Sequence, residues 1–198
     1  MAATASTMLP VGTECPQFDL PDYGKDGQSG QRRVGREDLQ SAPASVVMFI
    51  CNHCPFVIHV RDKLAELARE FQDQGVKFVA ISSNNIETHP SDAPEKMTQV
   101  AQEAGFGFPY LYDESQEVAK AFHAACTPDF FVFDRDLKLT YRGQLDDSRP
   151  DSGIPVTGED LRTAINATLK GEGPIEDQKP SMGCNIKWKP GNEPDYAK

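Results

Sequence analysis

Residues 45–50 read SVVMFI and residues 76–83 read VKFVAISS. Both runs are apolar at successive positions rather than at alternate ones, so each needs apolar cover on both faces of a strand. Central strands of a layered sheet have that need, and edge strands do not. Between the two runs, Val57, Val60, Leu64, Leu67, Ala68 and Phe71 recur at helical spacing, and Gly75 closes the pattern. A doubly buried strand, one crossover helix and a second doubly buried strand make a βαβ unit, which commits the chain to an α/β architecture with a largely parallel sheet.

The rest of the chain extends that unit. PSDAPEKMTQVAQEAG has Pro94 near a helix start and Gly105 at its end, FPYLYD is a short strand, and ESQEVAKAFHAA is a short helix. DFFVFDRDLKLTYRGQL reads as two alternating strands joined at Arg135-Asp136, and GEDLRTAINATLKG as a last helix closed by Gly171. Ahead of the unit, CPQFDLPDYGKDGQSGQ suits a hairpin. The expected order is β-α-β-α-β-α-β-β-α behind an N-terminal β-hairpin. It gives a central mixed β-sheet flanked by helices on both faces. Residues 1–10 read as a flexible N-terminus, 11–171 as one domain, and the Pro/Gly-rich 172–198 as an irregular C-terminal tail. Ile186 and Trp188 in that tail call for docking on the domain.

Composition narrows the function classes. With 30 acids against 20 bases and a formal charge of −10, the chain has no basic, aromatic-laced surface for nucleic acid. ASVVMFIC is far too short to span a bilayer. MAATASTMLPVG has neither a basic nor an apolar leader segment, which predicts a cytoplasmic protein. Five cysteines is an odd count, against a fully paired secreted framework and in favour of reduced, catalytic or metal-bound thiols.

The chemistry concentrates in FICNHCPFVIHVRDKL, residues 49–64. Cys51 is expected at the end of the first buried strand, opening the helix, with Cys54 one turn in. Unpaired N–H groups and the positive end of the dipole at a helix N-terminus stabilise a thiolate. In such settings a thiol pKa of about 8.5 falls to roughly 3.5–7.5. Three-residue spacing on a helix brings two sulfurs to one face, and a protonated His53 between them adds a second stabiliser. Far along the chain, AACTPDFFVFD (124–134) puts Thr127-Pro128 at the opening of a strand, where a proline is tolerated and cis is accessible.

C-x-x-C at a strand-to-helix junction, followed much later by Thr-Pro at the opening of a β-hairpin, resembles the thioredoxin superfamily. CTPDFFVFDRDLKLTYRG is similar to the Gly-Thr-Pro strand and hairpin of its TlpA/ResA and AhpC/TSA branches, with Cys126 in the Gly place. VGTECPQFDL resembles their opening, with Cys15 for Ala. The likeness covers about residues 8–170. It implies a thioredoxin-like fold with a cis Thr127-Pro128 facing Cys51 and Cys54. It also implies a thiol–disulfide oxidoreductase in which the Thr127-Pro128 backbone holds a substrate strand. In that reaction Cys51 attacks a disulfide and Cys54 resolves the mixed disulfide. No cofactor is needed; the partners are protein or small-molecule disulfides and an external thiol reductant.

Two other readings stay open. A peroxiredoxin-like hydroperoxide reductase would use Cys54 or Cys51 as its peroxidatic thiol. Peroxiredoxins of the same branch use Pro-x-x-x-Thr-x-x-Cys; with Cys54-Pro55 as the peroxidatic Cys-Pro, Cys51 stands in the Thr place and Val47 in the Pro place. A copper or zinc site would join Cys51 and Cys54 to His123, but the Sco-type copper proteins space their cysteines C-x-x-x-C. The plainer reading of His59 and His89 is solvated surface, of His123 a helix-surface residue, and of Cys15 a small apolar filler. Cys126 is either buried filler or a thiol beside the pair. Cys184 is either a surface thiol or a resolving thiol on a folded-back tail. Arg142 and Arg149 are weak candidates for thiolate stabilisers.

Overall fold

The computed structural model describes residues 3–24 and 28–197. In chain order the strands and helices are β1 (Thr4–Ala5), β2 (Asp19–Pro21), β3 (Arg33–Gly35), β4 (Ala44–Phe49), α1 (Pro55–Gln72), β5 (Lys77–Ser82), α2 (Pro94–Glu103), β6 (Tyr110–Tyr112), α3 (Glu117–Ala121), β7 (Cys126–Thr127), β8 (Asp129–Asp134), β9 (Leu139–Gly143), α4 (Glu159–Lys170) and β10 (Met182–Asn185). The central sheet has the order β6-β5-β4-β8-β9, parallel from β6 to β4 and antiparallel from β4 to β9. The two doubly apolar runs are its β4 and β5, and every residue of β4 is buried. The fold is thioredoxin-like, a mixed sheet with helices on both faces.

The alternation within β4 divides the core. Val46, Met48 and Ile50 pack with Val57, Val60 and Leu64 of α1 and with Leu161 and Ile165 of α4. Val47 and Phe49 face the other way, against Phe18 and Val34 of the N-terminal hairpin β2–β3 and Val118 and Phe122 of the α3 region. The expected hairpin is therefore present, though residues 25–27 of its connection lie outside the described residues. Among the described residues no helix is long and apolar enough to cross a membrane.

Both ends of the chain depart from expectation. The tail contains a strand, β10, which pairs antiparallel with β7 on one side and with β1 on the other. Residues 3–10 of the stretch expected to be flexible are therefore tied down in part, through β1; Met1 and Ala2 lie outside the described residues. Ile186 is buried and Trp188 packs against the aromatic core. A four-residue strand containing Gly183 has too few positions to show a period, which explains why the sequence reads as irregular there. Gly183 is also a contact requirement. A Cβ built on it would lie 1.9 Å from the Thr127 carbonyl oxygen, so a side chain there would push β10 off β7.

Candidate active site

β4 ends at Phe49, and α1 begins only at Pro55, with Cys54 as its N-cap in extended conformation (φ −66°, ψ 123°). The expectation that Cys51 opens the helix and Cys54 sits one turn in is therefore corrected. Proline prefers the first helical position, where its missing N–H has no partner to lose, and Pro55 fixes the start there. Cys51 instead lies in the link between strand and helix. The carbonyl of Cys54 accepts the N–H groups of Val57 (3.0 Å) and Ile58 (2.9 Å), closing the first turn.

Thr127 faces both sulfurs. Its Oγ1 is 3.5 Å from Cys51 Sγ, and its carbonyl oxygen is 3.3 Å from Cys54 Sγ. Thr127-Pro128 is cis and faces the pair, as the resemblance implies. Cys51 and Cys54 are both buried, at 1% and 0% exposure. Their thiols are driven in opposite directions. Cys54 is pulled down to about 5, first by the Cys51 thiol donating to it and then by the thiol of Cys184 and the N–H groups of Val57 and Cys184, all against burial. Cys51 is pushed well up by donating that bond, by burial and by the charge of Asp92. The Thr127 carbonyl is an acceptor facing Cys54, and it opposes the loss of the proton.

His53 is held by a carboxylate: its Nδ1 is 2.7 Å from Asp92 Oδ2. Its ring stacks on His89 at 5.1 Å. Asp92 is fully buried and organises the link. Its Oδ1 accepts the N–H groups of Asn52 (2.8 Å) and His53 (3.3 Å), and its Oδ2 also accepts Asn84 Nδ2 (2.8 Å). Tyr110 Oη donates to Asn52 Oδ1 at 3.0 Å. Sequence reading missed Asp92 because it comes from a one-turn 3-10 helix, Pro90–Asp92, with no motif of its own.

Four other expectations change. The β7 edge, where the resemblance places a substrate strand, is taken by the chain's own β10, with Cys184 opposite Thr127. The ligand set Cys51, Cys54 and His123 is not assembled: His123 is exposed and stacks on Tyr196 at 4.8 Å. Among the described residues the group within metal-ligating reach is Cys51, His53 and Asp92, all within 4.8 Å. Both oxygens of Asp92 are already taken by N–H donors, so this set reads as a closed hydrogen-bond network. Arg142 pairs with Asp129 at 2.9 Å and donates to the His123 carbonyl, and Arg149 donates to Asp146, Ser148 and Gln144, so neither bonds a cysteine. His59 is held by Ser148 (3.2 Å) rather than solvated. Cys15 lies in the apolar core of the hairpin face, as a filler does.

The same fold recurs among known proteins. An uncharacterized conserved protein from Geobacillus kaustophilus is 57% identical, covers 96% of this chain and 98% of its own, and superposes with a TM-score of 0.91. A hypothetical protein from Sinorhizobium meliloti 1021 is 45% identical, over 95% of this chain and 100% of its own, with a TM-score of 0.90. A Chlorobium tepidum protein assigned as the thiol:disulfide interchange protein DsbE shares the fold at 18% identity, over 82% of this chain and 99% of its own, with a TM-score of 0.62. None of the curated proteins matches the chain. Residues 11–142 match the AhpC/TSA family, a span that runs from the N-terminal hairpin through both cysteines and Thr127-Pro128 to β9. A helix-capping thiol, its partner and a facing Thr-Pro thus sit within a match over more than half the sequence, which supports a thiol redox function: the chain belongs to the AhpC/TSA family.

Proposed function

We propose that this protein is a thiol–disulfide oxidoreductase working through Cys51 and Cys54. The observation that carries the reading is the buried Cys51–Cys54 pair under Thr127, whose Oγ1 lies 3.5 Å from Cys51 Sγ and whose carbonyl oxygen lies 3.3 Å from Cys54 Sγ. The thiolate is the attacking species in disulfide exchange. The electrostatics favour Cys54 as that thiolate, with Cys51 resolving, the reverse of the order the sequence suggests. Cys54 attacks a substrate disulfide, one substrate sulfur leaves as a thiol, and Cys51 then displaces the other. The pair ends oxidised and the substrate reduced by two electrons; an external thiol reductant restores the pair. His53, held by Asp92, positions the link that carries Cys51 and Asn52.

A specific observation also favours hydroperoxide reduction: Cys54 is the N-cap directly before Pro55 and its pKa is drawn to about 5. Its thiolate would take the terminal peroxide oxygen as a sulfenic acid, the O–O bond breaking and the other oxygen leaving as an alcohol or water. Cys51 would then condense with the sulfenic acid, releasing water. Both routes end in the Cys51–Cys54 disulfide, so the substrate separates them. Insulin-disulfide reduction and hydroperoxide consumption are to be assayed side by side on protein purified under reducing conditions, with metal analysis. Insulin reduction that is lost in Cys51→Ser and Cys54→Ser is the expected result. Peroxide turnover without insulin reduction would replace it with the second reading, and stoichiometric metal would overturn both.

A further inference from the structure

We propose that Cys184 is a third redox thiol of this site and exchanges disulfides with Cys54, making strand β10 a partner built into the chain. The proposal rests on the dithiol reading above and adds a residue to it. β10 lies on the edge of β7 with Cys184 directly opposite Thr127, the residue whose hydroxyl and carbonyl touch the other two sulfurs. Gly183, next in the strand, sits so close to the Thr127 carbonyl that no side chain fits, so β10 is drawn in as near as a backbone can come. On its far side β1 clamps the strand, Thr4 opposite Gly183 and Ala5 opposite Met182. Cys184 packs in one buried cluster with Cys51 and Cys54, and its thiol and N–H help to draw the Cys54 pKa down.

A buried filler thiol would need none of these polar contacts. Cys126, one residue before Thr127 in β7, shows the contrast: its thiol faces the Pro128 and Ser181 carbonyls, and Cys54 and Cys184 act on it only through their charge. Cys184 is turned toward the site instead.

The step balances without a further oxidant. After a turnover, Cys51 and Cys54 are joined. Cys184 gives up its proton and its sulfur attacks Cys54 Sγ; the Cys54–Cys184 bond forms as the Cys51–Cys54 bond breaks, and Cys51 leaves as a thiolate that takes up a proton. No electrons are gained or lost. Burial and the neighbouring Cys54 hold the Cys184 thiol up at about 12 in the reduced protein. The part due to Cys54 disappears once Cys54 is in a disulfide, which brings the Cys184 pKa down while burial still holds it above its ordinary value. The exchange moves the disulfide from the covered pair onto β10, next to the exposed Asn185.

The test is disulfide mapping of the full chain. Wild type, Cys51→Ser and Cys51→Ser/Cys184→Ser are equilibrated with reduced and oxidised glutathione, quenched in acid, alkylated and digested, and linked peptides are identified by mass spectrometry. The expected result is a Cys54–Cys184 link as the main oxidised form of Cys51→Ser. The double variant should lose that link and carry glutathione on Cys54. If Cys51→Ser instead carries glutathione on Cys54 while Cys184 is alkylated in full, the proposal is overturned. Should Cys51→Ser not fold, partly oxidised wild type decides: both a Cys51–Cys54 and a Cys54–Cys184 peptide support the exchange, and the first without the second refutes it. Insulin reduction by wild type reports on the dithiol reading separately, so a Cys54–Cys184 link without insulin reduction would sink that reading and leave the third thiol standing.

Discussion

Cys54 and Cys126 are both fully buried and both adjoin Thr127, one through a hydrogen bond and one through the chain, yet their thiols are driven in opposite directions. Burial pushes both up, because an anion loses its hydration. At Cys126 nothing reverses this: its contacts are carbonyl acceptors, and the charge of Asp129 adds to the penalty while Arg142 only partly relieves it. At Cys54 the Cys51 thiol, the Cys184 thiol and two backbone N–H groups act as donors, and they outweigh the burial although the Thr127 carbonyl faces the sulfur as an acceptor. Cys15 confirms the rule from the opposite face of the sheet, pushed up to about 12 by burial even with Arg36 at hand. Neither depth nor closeness to the Thr-Pro turn sets the direction of the shift here. The donors around the sulfur set it, the Cys51 thiol first among them.

The strongest way to break this comparison is to remove each thiol in turn. Cys54→Ser should lower disulfide reduction at least about 10³-fold, as loss of a nucleophile does, while Cys126→Ala should leave the rate within a few-fold of wild type. Steady-state insulin reduction, with circular dichroism to verify folding, checks both. A folded Cys126→Ala protein as inactive as Cys54→Ser would show that Cys126 belongs to the working thiols and that the comparison is drawn in the wrong place.

The same contrast explains what the sequence discloses. β4 and β5 are legible because a strand buried on both faces must be apolar throughout, and α1 because its period is unbroken from Val57 to Phe71. The Cys-x-x-Cys and Thr-Pro positions are legible because short motifs carry them. The helix start is misread although its signal is present: Pro55 marks the first helical position, and weighing it would have made Cys54 the N-cap. Asp92 and Cys184 are different. Each reaches the site only through tertiary packing, one on a single 3-10 turn and the other on a four-residue strand, and no local pattern points to a partner some 40 or 130 positions away. The sequence therefore locates the sulfurs but not the groups that decide which one carries the charge.

A smaller change sharpens the role of β10. Gly183→Ala places a methyl group against the Thr127 carbonyl, and the strand must shift or detach. Overpacking of this kind costs about 1–3 kcal/mol, to be read as a lower urea midpoint. Moving β10 also withdraws the Cys184 donors from Cys54, so the Cys54 pKa should rise, and its alkylation at high pH should quicken as cover is lost. Cys126→Ala should leave the Cys54 titration where it is. A Gly183→Ala protein with an unchanged Cys54 titration would show that the first two donors, Cys51 and the helix N-terminus, suffice on their own.

The last effect is on stability against pH. Cys54 has a folded pKa of about 5 against an ordinary value of 9.0, so it is the depressed case: its contribution is complete above about pH 9 and is lost as pH falls toward 5. Cys15, Cys51, Cys126 and Cys184 are all raised, so their contributions are complete below that ordinary value and are lost only at more alkaline pH. Between about pH 5 and 9 Cys54 is thus the one thiol expected to tilt the curve. The slope should approach about 1.4 kcal/mol per pH unit, because unfolded Cys54 keeps through this range a proton that folded Cys54 has lost. Urea midpoints of reduced wild type and Cys54→Ser, taken across this range, isolate the effect, since the shared carboxylates and histidines cancel in the difference. Wild type should hold its largest advantage at the alkaline end and lose it steadily toward the acid end, while the ultraviolet absorbance of the thiolate disappears over the same interval. An advantage that grows on acidification would mean that Cys54 rests as a thiol on Thr127 and that the charge belongs to Cys51 after all.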